Sequence, residues 1–230
     1  MNKTATAKQL EVKRIVDILA QAIAQHRLRP GTRLIEAQIV EALGANRNHV
    51  QVALQRLAIQ RIVTIEPNRG AMVAQPSALE AREIFIARRA IERAVVEEIT
   101  PERMRRHRQQ LEEHMRHEQA AIAAADRRAI VRELSNFHLV LGEVSGNAVL
   151  KEILTNLMMR SSLIVALYQR NDVPACASGE HQAILDALEQ GNQQAAATAM
   201  LAHLDELEGQ LDLSDRSTAE INLRQALTGF

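Results

Sequence analysis

The chain has 230 residues, of which 47% are hydrophobic and only 2% aromatic, and it contains no Trp. This length accommodates one large or two small domains, and the abundance of Ala, Leu, Glu, Gln and Arg predicts a mainly α fold. The single Cys176 excludes an internal disulfide. The sequence shows neither a signal peptide nor an apolar run long enough for a membrane span, so we expect a cytoplasmic protein without membrane association.

Charge is distributed unevenly along the chain, although the net charge is zero. Residues 1–75 carry 11 Lys and Arg against 5 Asp and Glu, whereas the remainder carries 17 against 23. The N-terminal part is therefore basic, as expected of a part that meets nucleic-acid phosphate. We predict two domains, residues 1–75 and residues 76–230.

The first domain shows the order of elements of a winged helix-turn-helix. The predicted helices cover residues 7–26, 35–43 and 47–60, and the predicted strands cover 62–65 and 71–73. Gly44 is a natural C-cap for the second helix, and Asn46 is a good N-cap for the third. Three helices with a two-stranded wing form a device that lays the third helix in a DNA groove.

The second domain has helical periodicity throughout. Its predicted helices cover residues 77–98, 101–124, 127–144, 147–170, 178–190 and 192–212, and a short further helix is expected within 214–230. We therefore expect an all-helical bundle behind the winged domain.

The outer face of the third predicted helix carries side chains that can read bases, namely Arg47, Asn48, Gln51 and Gln55. Arg can make two hydrogen bonds to guanine, and Asn or Gln can do the same to adenine. An ordinary solvated helix face is the alternative. The hairpin tip at residues 68–70 offers a cation and backbone donors for phosphate or the minor groove, which favours DNA recognition.

Residues 10–74 resemble the winged helix-turn-helix of the GntR family of bacterial transcription regulators. The matching residues are Pro30-Gly31-Thr32-Arg33-Leu34, Glu36, Leu43-Gly44, Arg47, Val50, Ala53-Leu54, Arg56-Leu57 and Pro67-Asn68-Arg69-Gly70. The resemblance implies a homodimer on a palindromic site in double-stranded DNA. The implied DNA contacts come from Arg33, Asn46, Arg47, Asn48, Gln51, Asn68, Arg69 and Gly70. Gln51 stands where the family often has an arginine, so we expect an operator that differs from the common consensus.

Three of the eight histidines, His138, His181 and His203, lie on apolar faces of separate predicted helices. Such residues can converge on one metal ion, because imidazole suits Zn, Ni, Cu or Fe. Separate core histidines with ordinary hydrogen bonds are the alternative. A second group comprises His107, His114 and His117. Arg and Glu residues, Glu118 among them, surround this group, which predicts a solvated, charged helix face.

Residues 80–212 resemble the all-helical FCD effector domain that follows this DNA-binding domain in one large GntR subfamily. The landmarks are Arg88 to Glu92, Phe137-His138, Ser145-Gly146-Asn147, Glu180-His181 with Ile184, and His203-Leu204. The resemblance implies a divalent metal ion such as Zn or Ni on His138, His181 and His203, and no organic cofactor. It also implies a small organic-acid effector, for which Arg88 and Asn147 are the candidate contacts.

The chain departs from the FCD pattern at one metal ligand. The family's Asp or Asn, four residues before the first histidine, is Leu134 here, which cannot bind metal. Water or an effector carboxylate would then complete the coordination. For Arg88 the alternative role is a salt bridge to Glu92, one helical turn further on.

These observations predict a ligand-responsive transcription factor, a repressor on family grounds, and not an enzyme. The alternative is a metal-dependent enzyme built on the three-histidine pocket. It lacks a nucleophile motif and has only Glu180 as a candidate general base. A DNA-packaging protein is a further alternative, but packaging needs no cavity.

Overall fold

The computed structural model describes residues 6–67, 69–169 and 179–214. Three sequence predictions therefore lie outside the described residues: Asn68 at the wing tip, Cys176, and all but the first residue of the 214–230 segment.

The described chain is mainly helical, as predicted. The helices are α1 (Ala7–Ala24), α2 (Glu36–Leu43), α3 (Arg47–Ile59), α4 (Ala78–Glu97), α5 (Pro101–Arg106), α6 (Arg108–Ala123), α7 (Arg127–Val144), α8 (Ala148–Tyr168), α9 (Gly179–Glu189) and α10 (Gln193–Gly209). The strands are β1 (Arg33–Leu34), β2 (Val63–Glu66) and β3 (Gly70–Val73). The helix predicted over 101–124 is interrupted at His107, whose φ of −104° and ψ of 11° end α5. Among the described helices, none is long and apolar enough to cross a membrane.

The N-terminal unit, residues 7–74, consists of α1 to α3 and a small antiparallel sheet. The wing hairpin pairs β2 with β3, and β1, which was not predicted, adds to the other side of β3. Gly44 ends α2 in the left-handed region at φ 57°, a conformation that costs glycine little. The apolar face of α3, including Val50 and Leu57, is fully buried in the core of this unit. The polar face of α3 therefore remains at the surface.

The bundle, residues 78–209, consists of α4 to α10. Its main core is formed by fully buried residues such as Ile99, Phe137, Leu141, Ile184 and Leu204. A set of polar side chains is buried with them: Arg88, Glu92, His114, Glu118, Glu133, His138, Ser145, Ser161, Ser162, His181 and His203. Burial of ionisable groups costs free energy unless they are paired, so this set marks the part of the bundle where chemistry is expected.

Helix α8 belongs to both parts of the fold. Leu163 is buried within the core cluster of the N-terminal unit. Nε2 of His26, which follows α1, lies 3.0 Å from the carbonyl oxygen of Ser162. The Asn156 side chain donates to the carbonyl oxygen of Gln60 at 3.2 Å. The N-terminal unit is thus attached to the bundle through one face of α8.

Candidate nucleic-acid interface and metal centre

The N-terminus of α3 is capped by Asn46 and lies at the protein surface. The side-chain oxygen of Asn46 accepts a hydrogen bond from the Asn48 backbone N–H at 2.8 Å, so the helix begins at Arg47. Nε of Arg47 and Nε2 of Gln51 each lie 3.0 Å from the same carboxylate oxygen of Glu36 on α2. Glu36 therefore aligns both side chains along the outer face of α3, where the Arg47 side chain is 73% exposed.

A surface groove of about 500 Å³ runs between α3, β1 and the wing. It is lined by five of the eight residues for which DNA contacts are predicted: Arg33, Arg47, Gln51, Arg69 and Gly70. Asn46 and Asn48 are exposed at the adjoining start of α3. Arg47 is paired with Glu36 and Arg69 with Glu66 at 3.2 Å, and Arg33 adds a third positive charge, so the groove is positive overall, as phosphate contact requires.

The three histidines predicted as metal ligands meet in the bundle. His138 comes from α7, His181 from α9 and His203 from α10, and each is almost fully buried. Nε2 of His203 lies 3.3 Å from Nε2 of His138 and 3.4 Å from Nε2 of His181. All three can offer a ligand atom within 4.8 Å of one another, so the structure contains a three-histidine group.

Each imidazole is held at its other nitrogen by a carboxylate from the bundle. Nδ1 of His181 lies 2.7 Å from Glu118, and Nδ1 of His203 lies 2.6 Å from Glu180. Nδ1 of His138 is hydrogen-bonded to Glu92. Because a carboxylate accepts, Nδ1 carries the hydrogen and the Nε2 lone pair faces the other two histidines. Such carboxylate–histidine pairs are the usual outer support of a metal site.

This donor set fits a divalent metal ion. The Nε2 lone pairs of His138 and His181 lie 3.3 and 3.4 Å from Nε2 of His203, and lone pairs at such distances repel unless a cation lies between them. A tetrahedral zinc ion with Zn–N bonds of about 2.0–2.1 Å separates its nitrogen ligands by about 3.3–3.4 Å. Burial lowers the pKa of His138 to about 3 despite the adjacent Glu92 carboxylate, and burial also lowers the pKa of His203. Both imidazoles are therefore neutral at neutral pH, which is the form that binds metal.

Arg88 lies beside the histidines and forms the salt bridge to Glu92 that the sequence offered as an alternative to effector binding. Its Nε donates to Glu92 at 2.7 Å, its Nη1 donates to Ser161 Oγ at 3.1 Å, and its Nη2 lies 3.4 Å from His138 Nε2. Burial alone would raise the pKa of Glu92. The charge of Arg88 and the contact with His138 outweigh burial and lower this pKa to about 2. Arg88 is therefore paired with the Glu92 carboxylate and at the same time borders the histidine cluster.

The cluster opens into a cavity of about 70 Å³, large enough for a few water molecules or a compact acid group. Arg88, Leu134, Ser135, Ser161 and Ser162 contribute to its wall beside the three histidines. Leu134 occupies the position of the missing family ligand and offers only an apolar side chain.

Two sequence predictions are not met by the geometry. Asn147 does not line the cavity, because its side-chain oxygen caps α8 by accepting from the backbone N–H groups of Val149 and Leu150 at 3.2 Å. The solvated face predicted around His107, His114 and His117 is wrong for His114, which is buried together with Glu118.

The error at α6 has a physical cause. His114 and Glu118 lie one turn apart on the side of α6 that packs against α7, where the His114 ring approaches Phe137 with 6.1 Å between ring centroids. Because the neighbouring residues in the sequence are charged, the sequence pattern did not show that these two side chains point into the bundle. His117 is exposed, as predicted. Sequence reasoning also missed Glu92, Glu118 and Glu180 as supports of the histidines, although Glu180 directly precedes His181.

Comparison with known proteins matches both parts of the chain. Residues 83–206 match the model of the FCD domain, and residues 11–73 match that of the bacterial regulatory proteins of the gntR family. The HTH-type transcriptional repressor RspR of Escherichia coli K12 is 25% identical over 196 residues, covering 85% of this chain and 86% of that protein. A probable D-xylose utilization operon transcriptional repressor of Paenarthrobacter nicotinovorans is 25% identical over 205 residues, covering 87% and 90%.

A solved structure supports the same assignment. A putative GntR transcriptional regulator from Rhodococcus sp. RHA1 superimposes with a TM-score of 0.75 at 28% identity, covering 86% of this chain and 96% of that one. Both resemblances inferred from the sequence are thereby confirmed.

Proposed function

Because the chain belongs to the GntR family of bacterial regulators and carries an FCD domain, we propose that it is a repressor whose DNA affinity is set by a small organic acid. As a member of that family it is a ligand-responsive transcription factor and not an enzyme. The observation that carries the proposal is the convergence of three histidine Nε2 atoms beside Arg88 in the bundle of such a chain. Repression is favoured because two of its relatives are named repressors.

DNA recognition is assigned to the groove between α3 and the wing. Arg33 and Arg69 would bind phosphates on either side, while Arg47 and Gln51 would reach base edges in the major groove. Gln51 favours adenine where an arginine would favour guanine. To reach the bases, Arg47 and Gln51 must exchange their shared contact with Glu36 for contacts with DNA.

A homodimer would bring two such grooves to a palindromic operator. Leu79 and Ile86 of α4 lie seven residues apart on one helix face and are 64% and 65% exposed. An apolar stripe that faces solvent on the helix next to the wing is a suitable dimer contact. Dimers of helix-turn-helix proteins bind half-sites about one helical turn apart.

The effector site is assigned to the cavity beside the histidine cluster. His138, His181 and His203 would hold a divalent metal ion through Nε2, and Glu92, Glu118 and Glu180 would keep the imidazoles in that orientation. The metal, when bound, supplies a Lewis-acidic position for one carboxylate oxygen. Arg88 would donate to the other oxygen, because its guanidinium already borders the cavity and has five N–H groups to share.

Helix α8 would transmit the signal. Ser161 accepts from Arg88 at 3.1 Å, the carbonyl of Ser162 is 3.0 Å from His26 Nε2, and Leu163 is buried in the core of the N-terminal unit. Three consecutive residues therefore connect the cavity wall to the DNA-binding part. An effector that draws Arg88 away from Ser161 would shift α8 and with it the orientation of α3.

The proposal is tested in two steps with the purified full chain. Selection of bound fragments from the source genome, repeated over a salt titration, should recover a palindrome, and genes beside it would supply candidate acids for titration against operator binding. Metal analysis after zinc loading should show metal in the wild type and a loss in His181→Ala, with the exposed His117→Ala as control. Recovery of no specific sequence would refute the DNA assignment, and equal metal in both variants would refute the site.

A further inference from the structure

The three carboxylates that support the histidines differ in how their negative charge is compensated and how many of their oxygens are hydrogen-bonded. Glu92 is paired with Arg88, and the Glu180 side chain is 28% exposed to water. Glu118 is 1% exposed, and only one of its oxygens, Oε2, is engaged, by His181 Nδ1 at 2.7 Å. Within the described residues its Oε1 has no hydrogen-bond partner. Glu118 is therefore the support with unused and fully buried acceptor capacity.

A second unsatisfied atom lies next to this carboxylate. His114 precedes Glu118 by one turn on α6, is 7% exposed, and has its Nε2 at 3.8 Å from Glu118 Oε2. In the described part of the chain this Nε2 also lacks a hydrogen-bond partner. Buried polar groups in folded proteins are almost always satisfied, so two unsatisfied atoms on side chains one turn apart require an explanation.

We propose that His114 is a positioning residue for the metal site and acts through Glu118 on the ligand His181. Its Nε2–H donates to the free Oε1 of Glu118, directly or through one buried water, from a position that already lies 3.8 Å from the other oxygen, Oε2. Glu118 then holds the His181 ring at a fixed angle. The inference rests on the proposed metal site and adds a residue to it.

The surroundings of His114 favour this role. Burial lowers the pKa of His114, although Glu118 and Glu133 act in the opposite direction, so the ring is neutral and has a single N–H to place. His117 and His181 are the other ionisable groups that act on it. Phe137 contacts both His114 and the ligand His181. Its ring stacks on His181 with 3.8 Å between centroids and lies 6.1 Å from the His114 ring. A hydrogen bond from His114 Nε2 to Glu118 Oε1, direct or through a water, is the arrangement that satisfies both of these atoms.

Zinc affinity of the full-length protein, measured by competition with a chromophoric chelator, tests the proposal. His114→Phe keeps a ring against Phe137 and removes the donor, and we expect zinc to bind about tenfold more weakly, the lower end of the effect of losing an outer-shell partner. His114→Gln retains an N–H donor and should recover most of the affinity. His117→Ala, an exposed histidine of the same helix, should bind like the wild type. Equal zinc affinity of His114→Phe and the wild type would overturn the proposal.

A second measurement separates this inference from the metal site itself. The ¹⁵N spectrum of the metal-free wild type should show His114 protonated on Nε2 and His181 on Nδ1. A His114 ring protonated on Nδ1 alone would overturn the proposal, whatever the zinc affinity. Failure of the wild type to bind zinc would instead refute the metal site, while the tautomer would still decide whether His114 donates to Glu118.

Discussion

Replacement of Leu134 by Asp should convert the three-histidine cluster into a four-ligand site. Leu134 precedes His138 by one turn of α7 and contributes to the cavity wall. Residues four apart on a helix lie on the same face, so a carboxylate at this position would reach the space shared by the Nε2 atoms. Metal affinity should rise while the metal-free protein becomes less stable.

The magnitudes follow from the partial burial of Leu134. Loss of a half-buried leucine costs roughly 1 kcal/mol, which lowers Tm by about 2–4 °C in a chain of this size. If the added carboxylate tightens zinc binding tenfold, the bound form gains about 1.4 kcal/mol, or about 3–6 °C. Zinc in excess of the Kd of both variants should therefore raise the Tm of Leu134→Asp more than that of the wild type.

Calorimetry of the wild type, Leu134→Asp and Leu134→Ala, each with and without zinc, checks this expectation. Leu134→Ala isolates the loss of packing, because it removes the same apolar contact without adding a ligand. Both variants should have a reduced Tm without metal, and only Leu134→Asp should show an enlarged zinc-induced shift. The same shift in the two variants would mean that the metal does not lie between these histidines.

Further expectations concern the DNA groove, the connection through α8 and acid stability. Arg47→Ala should abolish specific footprints without changing the fold, and Gln51→Arg should move one position of each half-site toward guanine by about 1–3 kcal/mol, as read from selected fragments. His26→Ala should reduce the effector's influence on operator affinity by up to about fivefold, the equivalent of one hydrogen bond of about 1 kcal/mol, as measured by titrating operator with and without effector. Burial lowers the pKa of His138 from 6.5 to about 3, so the unfolded chain takes up a proton first. Stability of the metal-free protein, measured by urea unfolding, should therefore fall as pH drops below 6.5. Glu92, lowered from 4.5 to about 2, should add a further loss below pH 4.5.

Periodicity predicted the histidine cluster because each ligand lies on an apolar helix stripe. The supporting carboxylates could not be predicted in this way. Glu92 is 46 residues from His138, and Glu118 is 63 residues from His181, so each pair forms only when different helices pack together. At Glu118 the pattern was misleading, since a run of charged neighbours is the usual mark of a solvated face.

The element boundaries that the sequence missed have local causes. The break between α5 and α6 falls at His107, a residue type that gives no stop signal such as Gly or Pro. Strand β1 has two residues, one exposed and one buried, which is too short for alternation to be recognised. The capping residue Asn46 was more informative, because it caps α3 as predicted.

Because Leu163 of α8 is buried in the core of the N-terminal unit, the two parts of the chain are not independent modules. The charge pattern divides the sequence near residue 75, but the packing does not divide there, because the N-terminal core includes the side chain of Leu163 from α8 (Ala148–Tyr168). A fragment that ends at residue 75 would expose to water the apolar recess that Leu163 fills, and losing the burial of such a side chain costs about 1.5–3 kcal/mol. The two halves are therefore expected to melt in a single transition, and a DNA-binding domain grafted onto this bundle from another protein would have to provide a matching recess for Leu163.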